Sequence, residues 1–156
     1  DAGCVPLARV PRGDHDYITQ RISESGISAD SVLLEVADHA GVAKAMQNMD
    51  AGIFIIKPAY SKIASAPTKL GEFLGCGVPC LGNANVGDIA DIIVGEKVGV
   101  VLSSFDADSI RVAVEELVCL TKQEGIKAHC RDVAFRYFSL KEGVRSFDRI
   151  YRELVV

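Results

Sequence analysis

The amino-acid sequence predicts an α/β fold in which a parallel sheet is covered by helices on both faces. Five apolar runs of strand length alternate with segments whose apolar residues recur at helical spacing. Strands alternating with helices in this way are typical of parallel sheets with right-handed crossovers. The 156 residues carry no internal repeat and no low-complexity linker, so we expect one domain.

In the first half, turn and cap residues separate the predicted elements. The run at 5–10 is a strand that a proline places at an edge, and an aspartate caps a helix over 14–25. A second strand covers 31–36, and a short helix covers 41–49. The run at 51–56 is apolar throughout, which is typical of a strand covered on both faces.

In the second half, a long connection leads into a helix over 68–76, which a glycine ends before a strand at 78–82. Asp88 is expected to cap a short helix through residue 94, and a last strand follows at 98–102. The remaining residues are predicted to form three helices. The first starts at Asp106 or Asp108 and runs through residue 120, and the others cover 123–137 and 139–154.

The composition excludes several classes of protein. With 49% hydrophobic residues the chain is globular, and a net charge of -4 gives no broad basic face for nucleic acid. No apolar run approaches the roughly 18–20 residues of a transmembrane helix. The five cysteines form neither a disulfide framework nor a metal-binding pattern, so we expect no metal and a cytoplasmic location.

Ligands of parallel sheets bind beyond the carboxyl ends of the strands. This rule selects the loops at 12–15, 37–39, 57–67, 83–87 and 103–105. The third of these, at roughly ten residues, exceeds the usual connection of about 2–6 residues, and long ordered loops are often functional.

The end of that loop is suited to a bound anion. Ser65, Ala66 and Pro67 lead into a helix whose first free N–H groups point back at the strand ends. Thr68 adds a hydroxyl and Lys69 adds a positive charge. These groups and the helix dipole together favour a diphosphate.

One turn into the same helix, Glu72 can accept both hydroxyls of a ribose, and Gly71 lets another chain or a ligand approach closely. A purely structural interpretation stays open, because a proline and a threonine are ordinary at helix starts and the dipole stabilises an early glutamate without a ligand. Lys57 and Lys62 flank the loop, where each can contact phosphate or keep the loop hydrated.

Several runs resemble the C-terminal domain of group 1 glycosyltransferases, also called family 4. The strongest likeness is in PTKLGEFLGCGVPCLGN (67–83), VGDIADII (86–93) and VGVVL (98–102). The likeness extends to MDAGIFIIKP (49–58) and FSLKEGVRSFDRIYREL (138–154).

The resemblance implies a Rossmann-like three-layer α/β/α domain, the C-terminal half of a GT-B architecture. It also implies one donor-binding domain, 1–156, that lacks the acceptor domain and the first strand–helix unit and is inactive alone.

The resemblance assigns roles to particular residues. Glu72 matches the second acid of the family's Glu-x7-Glu motif, which holds the nucleotide ribose, and the backbone at 65–69 lies against the diphosphate and donor sugar. The loop that contains His39 lies beside the base. The first acid of the motif falls at Ala64, so Ser61, Lys62 or Ser65 would replace the carboxylate that grips the donor sugar.

The implied activity is transfer of a sugar, with retention, from a nucleotide diphosphate donor to a glycan or lipid-linked acceptor. The resemblance implies no cofactor and assigns no catalytic residue. It also allows the whole enzyme a peripheral contact with the inner face of the membrane. Two alternatives stay open: half of a nucleotide-sugar epimerase, and a non-catalytic nucleotide-binding module. Ala64, and the lack of any match to the family's basic Gly-Arg and Lys-Gly segment, keep the second alternative open.

Overall fold

The computed structural model describes residues 7–9, 15–35, 37–57, 59–66 and 68–154, in which strands and helices alternate as predicted. The strands are β1 (Leu7–Arg9), β2 (Leu33–Glu35), β3 (Gly52–Ile53), β4 (Cys80–Asn83) and β5 (Gly99–Leu102). The helices are α1 (His15–Glu24), α2 (His39–Gln47), α3 (Thr68–Gly75), α4 (Ile89–Gly95), α5 (Ala107–Thr121), α6 (Ile126–Phe138) and α7 (Leu140–Leu154).

The chain divides into two compact units, Asp1–Val42 and Ala43–Val156. In the first unit β1 and β2 pair in parallel, with Leu7 opposite Leu33. In the second unit the strand order is β3-β4-β5, also parallel throughout. The prediction of parallel strands is confirmed. The described strands belong to one two-stranded sheet and one three-stranded sheet.

The three-stranded sheet is built around β4, all four of whose residues are buried. Leu81 faces α5, where it joins Leu117 in a buried cluster, and α5 packs along β4 and β5. Neighbouring side chains of a strand point to opposite faces, so Cys80 faces the other side, where Cys130 of α6 lies near it. Helices therefore cover both faces, and the fold is a Rossmann-like α/β/α sandwich, as the sequence predicts.

Three details of the helices differ from the sequence-based expectation. Helix α2 begins at His39, before residue 41, because the Asp38 carboxylate accepts a 2.7 Å hydrogen bond from the N–H of Gly41. Helix α6 begins only at Ile126, because Gly125 has a φ of 82° and cannot continue a right-handed helix. Asp88 precedes α4, but its side chain makes no capping hydrogen bond, so the predicted cap is wrong.

A side-chain cluster joins the end of α4 to α6. Arg136 donates to both carboxylate oxygens of Glu96, at 3.0 and 2.7 Å, and the hydroxyl of Tyr137 donates at 2.6 Å. The bonds from Arg136 and then Tyr137 lower the pKa of Glu96 from 4.5 to about 2. Because Glu96 lies just before β5, this cluster belongs to the amino-terminal edge of the sheet.

No helix among the described residues is long and apolar enough to cross a membrane. Cys76, Cys80, Cys119 and Cys130 are free thiols. Burial is the main reason that the pKa of the Cys80 thiol lies well above its usual value, so this thiol behaves as a small core hydrophobe.

Candidate functional site

The candidate site is the long connection from β3 to α3, which begins at the carboxyl end of β3. The connection folds through a 3₁₀ turn, Tyr60–Lys62, in which the N–H of Lys62 donates to the carbonyl of Ala59 at 2.8 Å. The N–H of Ser65 then donates to the carbonyl of Lys62 at 3.1 Å. Local backbone bonds therefore order the segment that immediately precedes α3.

Asn83, the last residue of β4, fixes the start of this connection. Its side-chain oxygen accepts a 2.8 Å hydrogen bond from the N–H of Ile56, and its amide nitrogen donates to the carbonyl of Ile56 at 2.9 Å. The same nitrogen donates to the carbonyl of Ala84 at 3.1 Å. Asn83 is 2% exposed and is the one fully buried polar side chain among the described residues. It therefore holds the loop to the sheet as a further strand residue would.

Gly87 fixes the other end of the connection. A Cβ atom on Gly87 would overlap the carbonyl oxygen of Ser65, so the loop after β4 and the end of the long loop pack backbone to backbone. Gly87 also has a φ of 48°, which a glycine adopts without strain. The loops that follow the adjacent strands β3 and β4 are thus in direct contact at the carboxyl edge of the sheet.

Helix α3 begins at Thr68, which is exposed at the helix start. The first turn of an α-helix leaves N–H groups without intrahelical acceptors, and the dipole makes this end partly positive. Lys69 and Glu72 form an ion pair on the same turn, with 2.5 Å between Nζ and Oε2, and each side chain is 41% exposed. One cation, one carboxylate and a helix start therefore lie together, accessible to solvent.

The backbone of α3 at Gly71 is covered by a side chain from another helix. A Cβ atom there would come within 2.9 Å of Cγ in Phe138, so the ring at the end of α6 lies against the backbone of α3. The close approach that the structure shows at Gly71 is therefore made by α6 of the same chain. Whether a ligand also contacts Gly71 stays a prediction.

The loop after β5 offers no free carboxylate at its end. Asp106 accepts hydrogen bonds from the hydroxyl of Ser104 at 2.6 Å and from the N–H and hydroxyl of Ser109. The bond from Ser104, followed by those from Ser109, lowers the pKa of Asp106 well below its usual value. This carboxylate is therefore engaged as the cap of α5.

Most of the predicted site residues fall within the second unit, between the 3₁₀ turn and the first turns of α3: Lys62, Ser65, Ala66, Thr68, Lys69, Gly71 and Glu72. Pro67 lies outside the described residues. His39 is the first residue of α2 and belongs to the first unit. Among the described residues, no group of three or more His, Cys, Asp or Glu side chains is placed to hold a metal ion.

The sequence selects the loop at 83–87 but does not show that its end residues, Asn83 and Gly87, shape the long connection. A signal for the first was available, since an asparagine directly after a buried apolar strand must find hydrogen-bond partners. The partner itself lies 27 positions away in the chain, at Ile56, which periodicity cannot identify.

Known proteins share the fold of this chain. No family model matches it, and no curated protein matches it significantly. It superposes on the crystal structure of the GtfA/B complex with a TM-score of 0.71 and 18% identity, over 96% of this chain and 29% of that chain. It also superposes on sucrose-phosphate synthase from Thermosynechococcus elongatus with a TM-score of 0.69 and 16% identity, over 95% of this chain and 37% of the other.

Both structures are glycosyltransferases of the GT-B fold. The chain spans about a third of the length of each, so the likeness concerns one part of a larger architecture. At these identities the likeness shows the fold: a Rossmann-like α/β domain of the kind found in GT-B enzymes.

Proposed function

We propose that this chain is the nucleotide-sugar-binding part of a retaining glycosyltransferase of group 1. The observation that carries the proposal is the anchored loop and helix start at the carboxyl edge of a domain that shares its fold with two GT-B glycosyltransferases. That edge is where Rossmann-like sheets bind their ligands. The acceptor, a glycan or a lipid-linked sugar, would bind to another domain of the whole enzyme.

The donor diphosphate would lie against the start of α3. Backbone N–H groups there are preorganised because the preceding loop is held by Asn83 and by Gly87. Thr68 supplies a hydroxyl and Lys69 a full positive charge. Hydrogen-bond donors that are fixed in this way need no reorganisation when negative charge develops on the departing diphosphate. Stabilising that charge is the main electrostatic requirement of the transfer.

The ion pair between Lys69 and Glu72 suggests how the donor is accommodated. An exposed pair contributes only about 0–1 kcal/mol, so it opens at little cost. When a diphosphate arrives, Lys69 can turn to it, and both oxygens of Glu72 become available for the ribose hydroxyls. Donor binding would thus exchange one charge pair for two interactions with the ligand.

The contacts with the donor sugar would be made by the loop that precedes α3. Ala64 stands where the family's first acid would be, and its side chain can neither accept nor donate a hydrogen bond. Lys62 and Ser65 are the polar residues on either side, with Lys62 exposed and Ser65 half-buried. We therefore assign the sugar hydroxyls to these two side chains and leave the catalytic residue unassigned.

The test is calorimetric titration of the chain with UDP, GDP, ADP and their common sugar conjugates. One nucleoside diphosphate is expected to bind, and Glu72→Gln should weaken it by about 1–3 kcal/mol, the contribution of a charged hydrogen bond. Glu115→Gln is the matched control, because Glu115 is also an exposed glutamate in an ion pair, with Arg111. Its variant should bind the nucleotide as the wild type does.

Two results would overturn the proposal. One is the absence of nucleotide binding by a chain whose circular dichroism shows it to be folded. The other is equal weakening by the Glu72 and Glu115 variants, since that would show that the site does not lie on α3.

The affinity for the diphosphate is also expected to fall at high salt, because Lys69 and the helix dipole both act through charge.

A further inference from the structure

Two contacts between a phenylalanine ring and a glycine fix the position of α3. Toward the sheet, a Cβ atom on Gly52 of β3 would come within 2.6 Å of Cδ1 in Phe73, so this ring of α3 lies directly on the strand backbone. Toward α6, the ring of Phe138 lies on the backbone of α3 at Gly71. Because protein interiors are close-packed and transmit strain, these two contacts set where α3 lies relative to the strand and to α6.

Helix α6 runs along α3 in the opposite direction. Phe138, the last residue of α6, lies at Gly71 in the first half of α3. Arg131, about two turns earlier in α6, lies at Gly77, just after α3 ends, where a Cβ atom would come within 2.9 Å of Cζ in Arg131. Arg131 also donates a 3.3 Å hydrogen bond to the carbonyl of Cys76. Helix α6 therefore contacts α3 near both of its ends.

The C-terminal end of α6, which carries the ring of Phe138, is itself held in place. Arg136 and Tyr137 donate hydrogen bonds to the carboxylate of Glu96, just after α4. Ser139 follows in an extended conformation, with φ -66° and ψ 123°, so the helix ends directly after Phe138. The ring therefore contacts α3 from a helix end that hydrogen bonds fix to another element of the fold.

Phe138 contacts α3 on the turn that carries the charged pair. Gly71 directly precedes Glu72 and lies two residues after Lys69. Helix α3 has eight residues, too few to be stable alone, so packing determines where this turn lies. Binding groups need to be held to within about 0.5 Å, and a site that is about 1 Å too loose loses its function. Loss of the ring would give the turn this freedom.

The exposure of Phe138 allows its effect on the site to be measured apart from its effect on stability. The ring is 37% exposed, whereas Leu70 and Leu74, the core leucines of α3, are 1% and 0% exposed. Stability depends on the apolar area that is removed from water, so α3 stays on the sheet through its leucines when the ring is shortened. The position of the turn at Gly71 depends on the ring.

We propose that Phe138 is a positioning residue for the donor site: its ring, seated on Gly71, holds Lys69 and Glu72 where the nucleoside diphosphate meets them. The inference rests on the proposed function and deepens it. Phe138 touches no ligand and acts only through the turn of α3 that it contacts.

Calorimetric titration of the whole chain with the nucleoside diphosphate that the wild type binds tests this role. Phe138→Ala should weaken binding by about 10-fold, the effect of one impaired charged hydrogen bond. Phe138→Leu keeps an apolar side chain against Gly71 and should recover most of the affinity. Phe135→Ala is the matched control, because Phe135 lies on the same helix and is 61% exposed, and it should bind as the wild type does.

Two further measurements exclude a loss of affinity through unfolding. Urea unfolding curves identify conditions in which every variant is fully folded, and the titrations are compared there. In the absence of ligand, the amide NMR signals of Lys69 and Glu72 should shift in Phe138→Ala and keep their positions in Phe135→Ala.

A double-mutant cycle separates positioning by Phe138 from a direct ligand contact at Gly71. In the wild-type background, Gly71→Ala places a Cβ atom within 2.9 Å of Cγ in Phe138, so it should displace the turn and weaken binding. In the Phe138→Ala background, the same methyl group enters the space that the ring has left, so Gly71→Ala should weaken binding no further. A direct contact between Gly71 and the ligand would instead make the substitution equally damaging in both backgrounds.

Three results would each overturn the positioning role while the proposed function stands. They are a Phe138→Ala variant that binds as the wild type does, equal weakening by Phe138→Ala and Phe135→Ala, and an effect of Gly71→Ala that is the same in both backgrounds. A wild type that binds no nucleoside diphosphate would overturn the proposed function itself, and the role of Phe138 with it.

Discussion

Asn83 is expected to determine whether the candidate binding loop keeps its conformation. Its side chain satisfies both backbone groups of Ile56 and the carbonyl of Ala84 from a position that is 2% exposed. Asn83→Ala removes all three hydrogen bonds at about 1 kcal/mol each. Ile56 is only partly buried, so water can recover part of this loss. We therefore expect unfolding to become easier by about 2–3 kcal/mol.

Thermal and urea denaturation followed by circular dichroism measure this, since the chain has no tryptophan. The melting temperature should fall by roughly 4–12 °C, at about 2–4 °C per kcal/mol for a domain of this size. Asn48→Ala is the control, because its side chain is exposed and makes only a 3.4 Å bond to the carbonyl of Lys44. A surface change of that kind should cost within about 0.5 kcal/mol.

A more local readout separates anchoring of the loop from general stability. The amide of Ile56 should exchange its hydrogen slowly in the wild type and much faster in Asn83→Ala, at a concentration of denaturant where both are folded. Asn83→Asp keeps the acceptor for that amide but turns a charge toward two carbonyls, so it should be at least as damaging at neutral pH. If Asn83→Ala and Asn48→Ala proved equally stable, the buried asparagine would not anchor the loop.

Three further predictions use matched pairs or pH. Gly87→Ala should lower the free energy of unfolding measured in urea by about 2–4 kcal/mol, because the added Cβ would overlap a loop carbonyl and φ at Gly87 is 48°. Gly95→Ala is its control: the added Cβ would have no neighbour within 4 Å, so this variant should be as stable as the wild type or more stable. Gly71→Ala should cost about 1 kcal/mol or more relative to Gly75→Ala on the same helix, because only the first meets an aromatic ring. The pKa of Glu96 falls from 4.5 to about 2 on folding, so this residue should stabilise the chain above pH 4.5 and lose that contribution as pH falls toward 2. The variant Glu96→Gln should therefore be less stable than the wild type at neutral pH. In acid unfolding curves the difference between the two proteins should vanish.

Much of the fold could be predicted from the sequence because its elements are locally marked. Apolar runs of strand length predict β4 and β5 to within two residues at each end. Asp106, one of the two aspartates predicted to start α5, is its cap. What could not be predicted rests on contacts between distant residues. The need for glycine at position 71 comes from Phe138, near the end of the chain, and the division into two sheets depends on pairing that strand patterns alone do not specify.

The candidate site shows the same division between local and distant causes. Lys69 and Glu72 lie three residues apart in a helix, so their ion pair follows from helical spacing alone. The loop that leads into their helix is shaped instead by Asn83 and Gly87, which belong to the neighbouring strand and its loop. Because neither of these residues is assigned a ligand contact, changing them should alter donor affinity only through the loop. A nucleotide affinity that falls in Asn83→Ala while Glu72→Gln has no effect would therefore place the ligand on the loop and not on α3.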